Sequence, residues 1–336
     1  MKSPKVTVLM SVYNGEKYLH EAVDSILNQT FTDFEFLIIN DASTDRTSEI
    51  LQSYRNPRIK VITNEKNIGL TKSLNKGLVI AKGEYIARMD ADDMSMPERF
   101  EKEIEFLDTH KDYAAVGTYV KVIRVDSGST DLWERPVTDA QIREHLKMDN
   151  CIAHGSAMIR RKCLVEVGFY DESIVRAQDY ELWLRLSEKY RLANIPQYLY
   201  LRKIHEENIE VKHHDEQKAY VERAKAKSLE RRLDRLLSSV GKGDADVKDA
   251  TIELVTITAE NDRRMKFWQF NWVSNLIDIL TLGRIKQSDS NKIFIRILFS
   301  SYVNRILKDY KKGKISLEET KDRLKTVVVG HKEPVL

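Results

Sequence analysis

The run Asp90-Ala91-Asp92-Asp93 follows directly on the apolar segment Tyr85-Ile86-Ala87-Arg88-Met89. In extended backbone alternate side chains share a face, so Asp90 and Asp92 point together while Asp93 is free to turn away. Carboxylates brought that close raise each other's pKa unless a cation lies between them. A partly hydrated divalent ion shared with a diphosphate suits such an all-oxygen site. Asp41 ends the apolar run Phe34–Asn40 and offers a carboxylate to the N–H groups of a base such as uracil, with Tyr13 offering a ring to stack on it. Each residue also has a plainer reading: an acidic turn ahead of the helix beginning at Pro97, a helix cap for Asp41, and simple packing for Tyr13. Neither G-x-G-x-x-G nor G-x-x-x-x-G-K-[ST] occurs, so phosphate held here would be held by a metal.

These residues need a scaffold, and the first half of the chain reads as one. Strand-like runs at Val6–Val12, Phe34–Asn40, Ile59–Thr63, 85–89 and 114–119 alternate with helical periodicity over 16–28, from about 45 with Ser43 or Thr44 as cap, and over 70–81 and 97–109. That alternation predicts an α/β fold with a doubly wound, mostly parallel sheet. Such sheets bind ligands at the carboxyl ends of their strands. Here those ends read Tyr13-Asn14-Gly15, Asp41-Ala42-Ser43-Thr44-Asp45, Asn67-Ile68-Gly69 and Asp90-Ala91-Asp92-Asp93. Asp179 opens the amphipathic stretch 180–186, where the plain reading is an N-cap.

Together the run 6–14, Asn40-Asp41-Ala42-Ser43-Thr44-Asp45, Asn67-Ile68-Gly69, Asn75-Lys76-Gly77, Gly83-Glu84-Tyr85-Ile86 and Asp90-Ala91-Asp92-Asp93 resemble the family 2 glycosyltransferases of GT-A fold, in order and spacing over roughly the first 205 residues. The resemblance implies inverting transfer from a nucleotide-sugar, usually a UDP-sugar, with Mn²⁺ or Mg²⁺ bridging the diphosphate. Carried over by position, Val12, Tyr13, Asn14, Asp41, Lys72, Asp90 and Ala91 would bind the nucleotide, and Asp92 and His205 the metal. Asp179, in Ala177-Gln178-Asp179-Tyr180, would be the general base. His154 and Trp183 would line the acceptor side. Lys203 stands where the family often has an Arg near the diphosphate, and Leu74 where it often has another.

Composition narrows the alternatives. With 55 Lys+Arg against 52 Asp+Glu the net charge is +3, too small for a protein built to neutralise nucleic-acid phosphates, so no nucleic-acid partner is expected. Two cysteines, Cys151 and Cys163, cannot staple a disulfide framework and read as buried hydrophobes. The N-terminus lacks the long apolar core of a signal peptide, which points to a cytoplasmic location. Beyond about 206 the alternation gives way to long charged helical segments, giving a GT-A catalytic domain over 1–210 and a helical C-terminal region over 211–336. Between 263 and 310 aromatic and basic residues mix, as in a surface that lies on the inner face of a membrane, an oligomer interface, or a bundle packed on the catalytic domain. The partners implied are a nucleotide-sugar donor and a glycan or polyprenyl-linked glycan acceptor. A non-catalytic carbohydrate-binding scaffold on the same fold and a nucleotidyltransferase are the alternatives.

Overall fold

The computed structural model describes residues 3–208 and 214–242 and short stretches between 306 and 323. The chain divides into two compact units, 1–225 and 226–336, and every residue of the candidate site lies in the first. The aromatic and basic segment 263–305 lies outside the described residues.

In the first unit, strands β1 (Val6–Val12), β2 (Phe34–Asn40), β3 (Ile59–Thr63) and β4 (Tyr85–Asp90) alternate with helices α1 (Leu19–Leu27), α2 (Thr47–Ser53) and α3 (Leu70–Ile80). Their order is β3-β2-β1-β4, all parallel. β1 and β2 are buried along almost their whole length, as continuous apolar runs covered on both faces must be. β5 (Met94–Ser95), α4 (Arg99–Thr109), β6 (Tyr113–Arg124), β7 (Thr130–Trp133), α5 (Asp139–Leu146), β8 (Met158–Arg160), α6 (Arg161–Val167), α7 (Gln178–Lys189) and β9 (Arg191–Ile204) follow. They extend the sheet as β8-β6-β9-β5, with β7 paired to β6. Here the parallel rule breaks: β8 runs antiparallel to both β4 and β6, while β6 and β9 are parallel. A further helix, α8 (His214–Lys242), begins in the first unit, where Ala224 is fully buried.

Helices α1, α2 and α4 start later than expected, the first two for one reason. Glu16 N donates to Asp45 Oδ2, Arg46 N to Glu16 Oε2, and Thr44 N to Asn14 Oδ1. These cross-loop bonds hold 14–16 and 43–46 in non-helical backbone, so α1 starts at Leu19 and α2 at Thr47. The N-cap of α2 is Arg46, not Ser43 or Thr44, and Asp45 just before it accepts from Thr47 N through Oδ1 at 3.0 Å.

The β3-β2-β1-β4 core leaves no room beside β1 at Gly83. A Cβ there would lie 2.2 Å from Thr7 N and 2.6 Å from Val6 C, both backbone atoms of the central region. Gly83→Ala is therefore expected to lose roughly 3 kcal/mol of stability in urea unfolding, at the upper end of overpacking costs; wild-type stability in that variant would contradict the close approach.

Candidate active site

β4 ends on Asp90, and the residue two before it sets its charge. Arg88 is 1% exposed and its Nη2 donates to Asp90 Oδ1 at 2.6 Å. Burial alone would push the Asp90 carboxyl up, and the guanidinium more than reverses this, holding it below the ordinary range. The cation that the acidic run calls for is thus partly internal. Asp92 faces other groups: its Oδ2 lies 3.1 Å from His205 Nε2 and accepts from Asn208 Nδ2 at 3.0 Å, and the His205 ring stacks on Tyr18 with centroids 4.7 Å apart. Asp93 turns inward, where Tyr200 OH donates to Oδ2 at 2.8 Å and Lys203 N to Oδ1 at 2.9 Å. Burial, with Asp92 and Asp90 beside it, pushes the Asp93 carboxyl well above its usual range. Ala91 is half-buried against the core beneath β1.

On the base side, the Tyr13 ring is 49% exposed. Asn14 adopts φ +53° and bonds through its backbone N to Ser43 Oγ at 3.0 Å. Val12 needs correcting as a ligand contact: its side chain is 2% exposed, inside the core, and its carbonyl accepts from Asp41 N at 2.8 Å. Asp41 is equally buried. Its Oδ1 accepts from Asn64 Nδ2 at 2.8 Å and Ile68 N at 2.9 Å, and its Oδ2 from Gly69 N at 2.8 Å. The carboxylate therefore fastens the start of α3. A carboxylate has about four acceptor sites, so one remains for a base. Lys72 is exposed and, among the described residues, makes no hydrogen bond or ion pair. Lys76, one turn on, is the lysine that reaches this cluster, through Asn64 Oδ1 at 2.7 Å. Lys203 is drawn away as well: Nζ donates to Glu21 Oε2 at 2.6 Å, so the expected point charge for a diphosphate is already neutralised.

The opposite wall is built by the 3₁₀ turn His154–Ser156 and the start of α7. Gly155 sits against Tyr200, where a Cβ would lie 2.0 Å from the Tyr200 hydroxyl and 2.6 Å from Asp90 Oδ2; the turn can approach β4 only because residue 155 has no side chain. Ala177 precedes α7 with φ +60°, a conformation that costs a non-glycine residue of order 1 kcal/mol, and this backbone aims the first turn. There Asp179 Oδ2 accepts from Asn150 Nδ2 at 2.7 Å. Burial raises the Asp179 carboxyl, bonds from Tyr180 N and Asn150 pull it back, and the charge of Asp90 adds to the rise. Trp183 is 0% exposed, so it cannot be an acceptor contact; it lies edge-on to the His154 ring at 6.5 Å and supports it from behind.

Arg88, Tyr200 and Asn150 are site residues that sequence reasoning passed over, and Lys76 entered it only as part of the Asn75-Lys76-Gly77 motif, with no role assigned. Of the first three, only Arg88 left a signal, as a charge inside an otherwise apolar strand. His154 Nε2 lies 2.8 Å from Tyr170 OH, and burial, aided by Arg88, brings its pKa down to about 3. Its ring is therefore expected to stay neutral from pH 5 to 8 in an NMR titration of the imidazole; a protonation step near 6.5 would refute the burial described.

Comparison with known proteins agrees with this architecture. Residues 7–168 match the family model for glycosyl transferase family 2. A Haemophilus influenzae protein described as a glycosyltransferase is 32% identical over 245 residues, 69% of this chain and 76% of that one. The Escherichia coli O-antigen biosynthesis glycosyltransferase WbnJ is 34% identical over 185 residues, 54% of this chain and 71% of that one. The crystal structure of S. aureus TarS 1-349 in complex with UDP-GlcNAc aligns with TM-score 0.57 at 19% identity, covering 92% of each chain, and shares the fold. With its curled, mostly parallel sheet and the acidic end of β4 at the centre, the chain is a glycosyltransferase enzyme of GT-A fold and belongs to glycosyl transferase family 2.

Proposed function

We propose that the chain transfers a sugar from a UDP-sugar to a hydroxyl of a glycan or lipid-linked glycan, with inversion at the anomeric carbon. The observation that carries this reading is that the elements bearing Asp179 and Asp90 meet at one turn: Trp183, on the helix that carries Asp179, lies edge-on to the His154 ring at 6.5 Å, and the adjoining Gly155 sits against Asp90 Oδ2. A carboxylate with a raised pKa is a stronger base, and it stands across the cleft from the acidic strand end. The acceptor oxygen would attack the anomeric carbon while its proton passes to the Asp179 carboxylate. The bond from that carbon to the diphosphate breaks and its electron pair leaves with UDP. One displacement inverts the centre.

The chain's own groups prepare each partner. Tyr13 offers its ring to the base, with the remaining acceptor site of Asp41 beside it. Arg88 keeps Asp90 ionised, and neutral His154 adds no charge to the acceptor wall. A divalent ion fits the donor set: Asp92 Oδ1 accepts no hydrogen bond among the described residues, and Oδ2 lies beside His205 Nε2. No group of three or more His, Cys, Asp or Glu side chains forms a metal cage among the described residues, so the diphosphate would complete the coordination. Bound there, Mn²⁺ or Mg²⁺ would neutralise charge developing on the leaving group. Support for the donor class comes from the UDP-GlcNAc complex of TarS. Support for a polysaccharide product comes from relatives such as WbnJ and the amylovoran biosynthesis glycosyltransferase AmsE of Erwinia amylovora. The basic and aromatic composition of 263–310 supports a place at the inner membrane surface.

The test is UDP release across a panel of UDP-sugars with and without EDTA. Asp179→Asn is expected to lose about 10²–10⁴-fold in turnover with UDP binding retained, and Asp92→Ala to lose its response to Mn²⁺. Full activity in Asp179→Asn would sink the base assignment. The pH profile gives a second check. The Asn150 amide favours the charged form of Asp179, so its removal in Asn150→Ala raises that pKa further and moves the acid limb of kcat to higher pH; an unmoved limb would mean that Asp179 does not govern it.

A further inference from the structure

Next to the acceptor wall stands a pair of cations that the transfer step leaves unused. The Arg135 guanidinium lies 4.8 Å from the Trp133 ring centroid, and that of Arg202 lies 5.3 Å from the same centroid. Stacking on an indole satisfies the face of a guanidinium and leaves its in-plane N–H groups to find acceptors. Other buried arginines find them: Arg160 donates to Tyr113 O, Tyr85 OH and Leu107 O, and Arg99 to Glu103 and Arg88 O. Arg135 is half-buried, has no hydrogen bond or ion pair among the described residues, and its Nε is sealed from solvent without a partner. Burial, with Arg202 alongside, pulls its pKa below the usual arginine value. Arg202 has further contacts of its own, so it contributes positive field while Arg135 holds the unmet donors.

Position gives this platform its meaning. Trp133 pairs with Val120, and Val120 with Tyr200, the residue whose hydroxyl reaches Asp93. Arg202 lies two residues further along β9, on the face of Tyr200, and its charge helps lower Asp90 and offsets a part of the rise at Asp93. Asn194 Nδ2 donates to Pro136 O at 2.7 Å and to Cys151 O at 3.0 Å, tying the residue after Arg135 to the residue after the Asn150 that holds Asp179. The platform therefore borders both acidic centres.

We infer that Trp133, Arg135 and Arg202 form a subsite for an anionic group, a sugar carboxylate or phosphate, carried by the acceptor next to the hydroxyl that is glycosylated. This rests on the transfer reaction proposed above. A carboxylate or phosphate oxygen pair would meet the planar fork of Arg135, while the indole supports the sugar ring edge.

The experiment is calorimetry on the full chain at low salt with glucuronic acid, glucose 6-phosphate and neutral glucose. Wild type is expected to bind one of the anionic sugars about 10-fold or more tightly than glucose, the weight of a charge-assisted pair, and whichever it is names carboxylate or phosphate as the source. Arg135→Gln should erase the preference, Arg135→Lys keep part of it, and Trp133→Phe keep more than Trp133→Ala. Arg124→Gln, which removes the same charge from the exposed Arg124–Asp131 pair on the β6-β7 hairpin, should keep it all. A melting curve identifies any variant that fails to fold, and the Lys and Phe variants then carry the decision. The inference is overturned if wild type shows no anion preference, if Arg135→Gln keeps it, if Arg124→Gln loses it equally, or if saturating UDP abolishes it, since the anion would then occupy the donor's diphosphate position. Donor hydrolysis by wild type is scored alongside: hydrolysis without anion preference overturns the subsite alone, and anion preference without hydrolysis from any donor overturns the transfer reading.

Discussion

A guanidinium buried to 1% exposure keeps its charge and is costly to hold there without acceptors, and Arg88 organises the site around that need. It reaches forward to Asp90 and to its neighbour's carbonyl, Met89 O. Its own carbonyl accepts from Arg99 Nη2 at 2.8 Å, and Arg99 is clamped by the equally buried Glu103. Its field helps keep His154 neutral. A linked series of charged side chains, Glu103, Arg99, Arg88 and Asp90, thus passes from α4 through the strand to the open end of the cleft, and only the last carboxylate is left half-exposed to a ligand. Removing one member of such a buried chain strands its neighbour, which costs more than the missing bond.

A second constraint ties the two walls together. Tyr200 comes from the last long strand, accepts from Asp90 N at 3.4 Å, donates to Asp93, and packs against Gly155 of the opposite wall. The half built by the parallel strands and the half built by the mixed strands therefore meet at one phenol. The carboxylates of a single short motif end in three environments: one paired to a buried arginine, one facing a histidine and an amide, and one sealed beneath a tyrosine. Their roles differ because their surroundings differ.

Sequence periodicity located the first four strands to within a residue or so, because buried parallel strands are continuous apolar runs bounded by polar turn residues. It was silent on β8, three residues long, and on the reach of β6 to Arg124. Those pair with segments far away in sequence, and their identity is decided by the sheet edge they meet. The acidic motif and Asp179 stood out through their place in the order and spacing of the family resemblance, since a carboxylate at a strand or helix end is by itself an ordinary turn or cap. The partners that give them their properties were not: Lys203 is taken by Glu21, 182 residues away, and Asp41 by backbone N–H groups that any residue could supply. Trp183 misled because an aromatic beside a catalytic motif looks the same whether it faces the substrate or supports the residue that does.

The reversal of strand direction at β4 also has a bearing on synthesis. β4 bonds on one side to β1, already made, and on the other to β8, which emerges roughly 70 residues later. At roughly 5–20 residues per second on the ribosome, that edge waits about 4 to 14 s without its partner, an apolar strand with open backbone groups and a lone buried-type arginine. The nascent chain would be most vulnerable to mispairing in that interval, and a charge set inside an apolar strand, as Arg88 is, belongs to the class of residues that make an open strand a poorer template for aggregation.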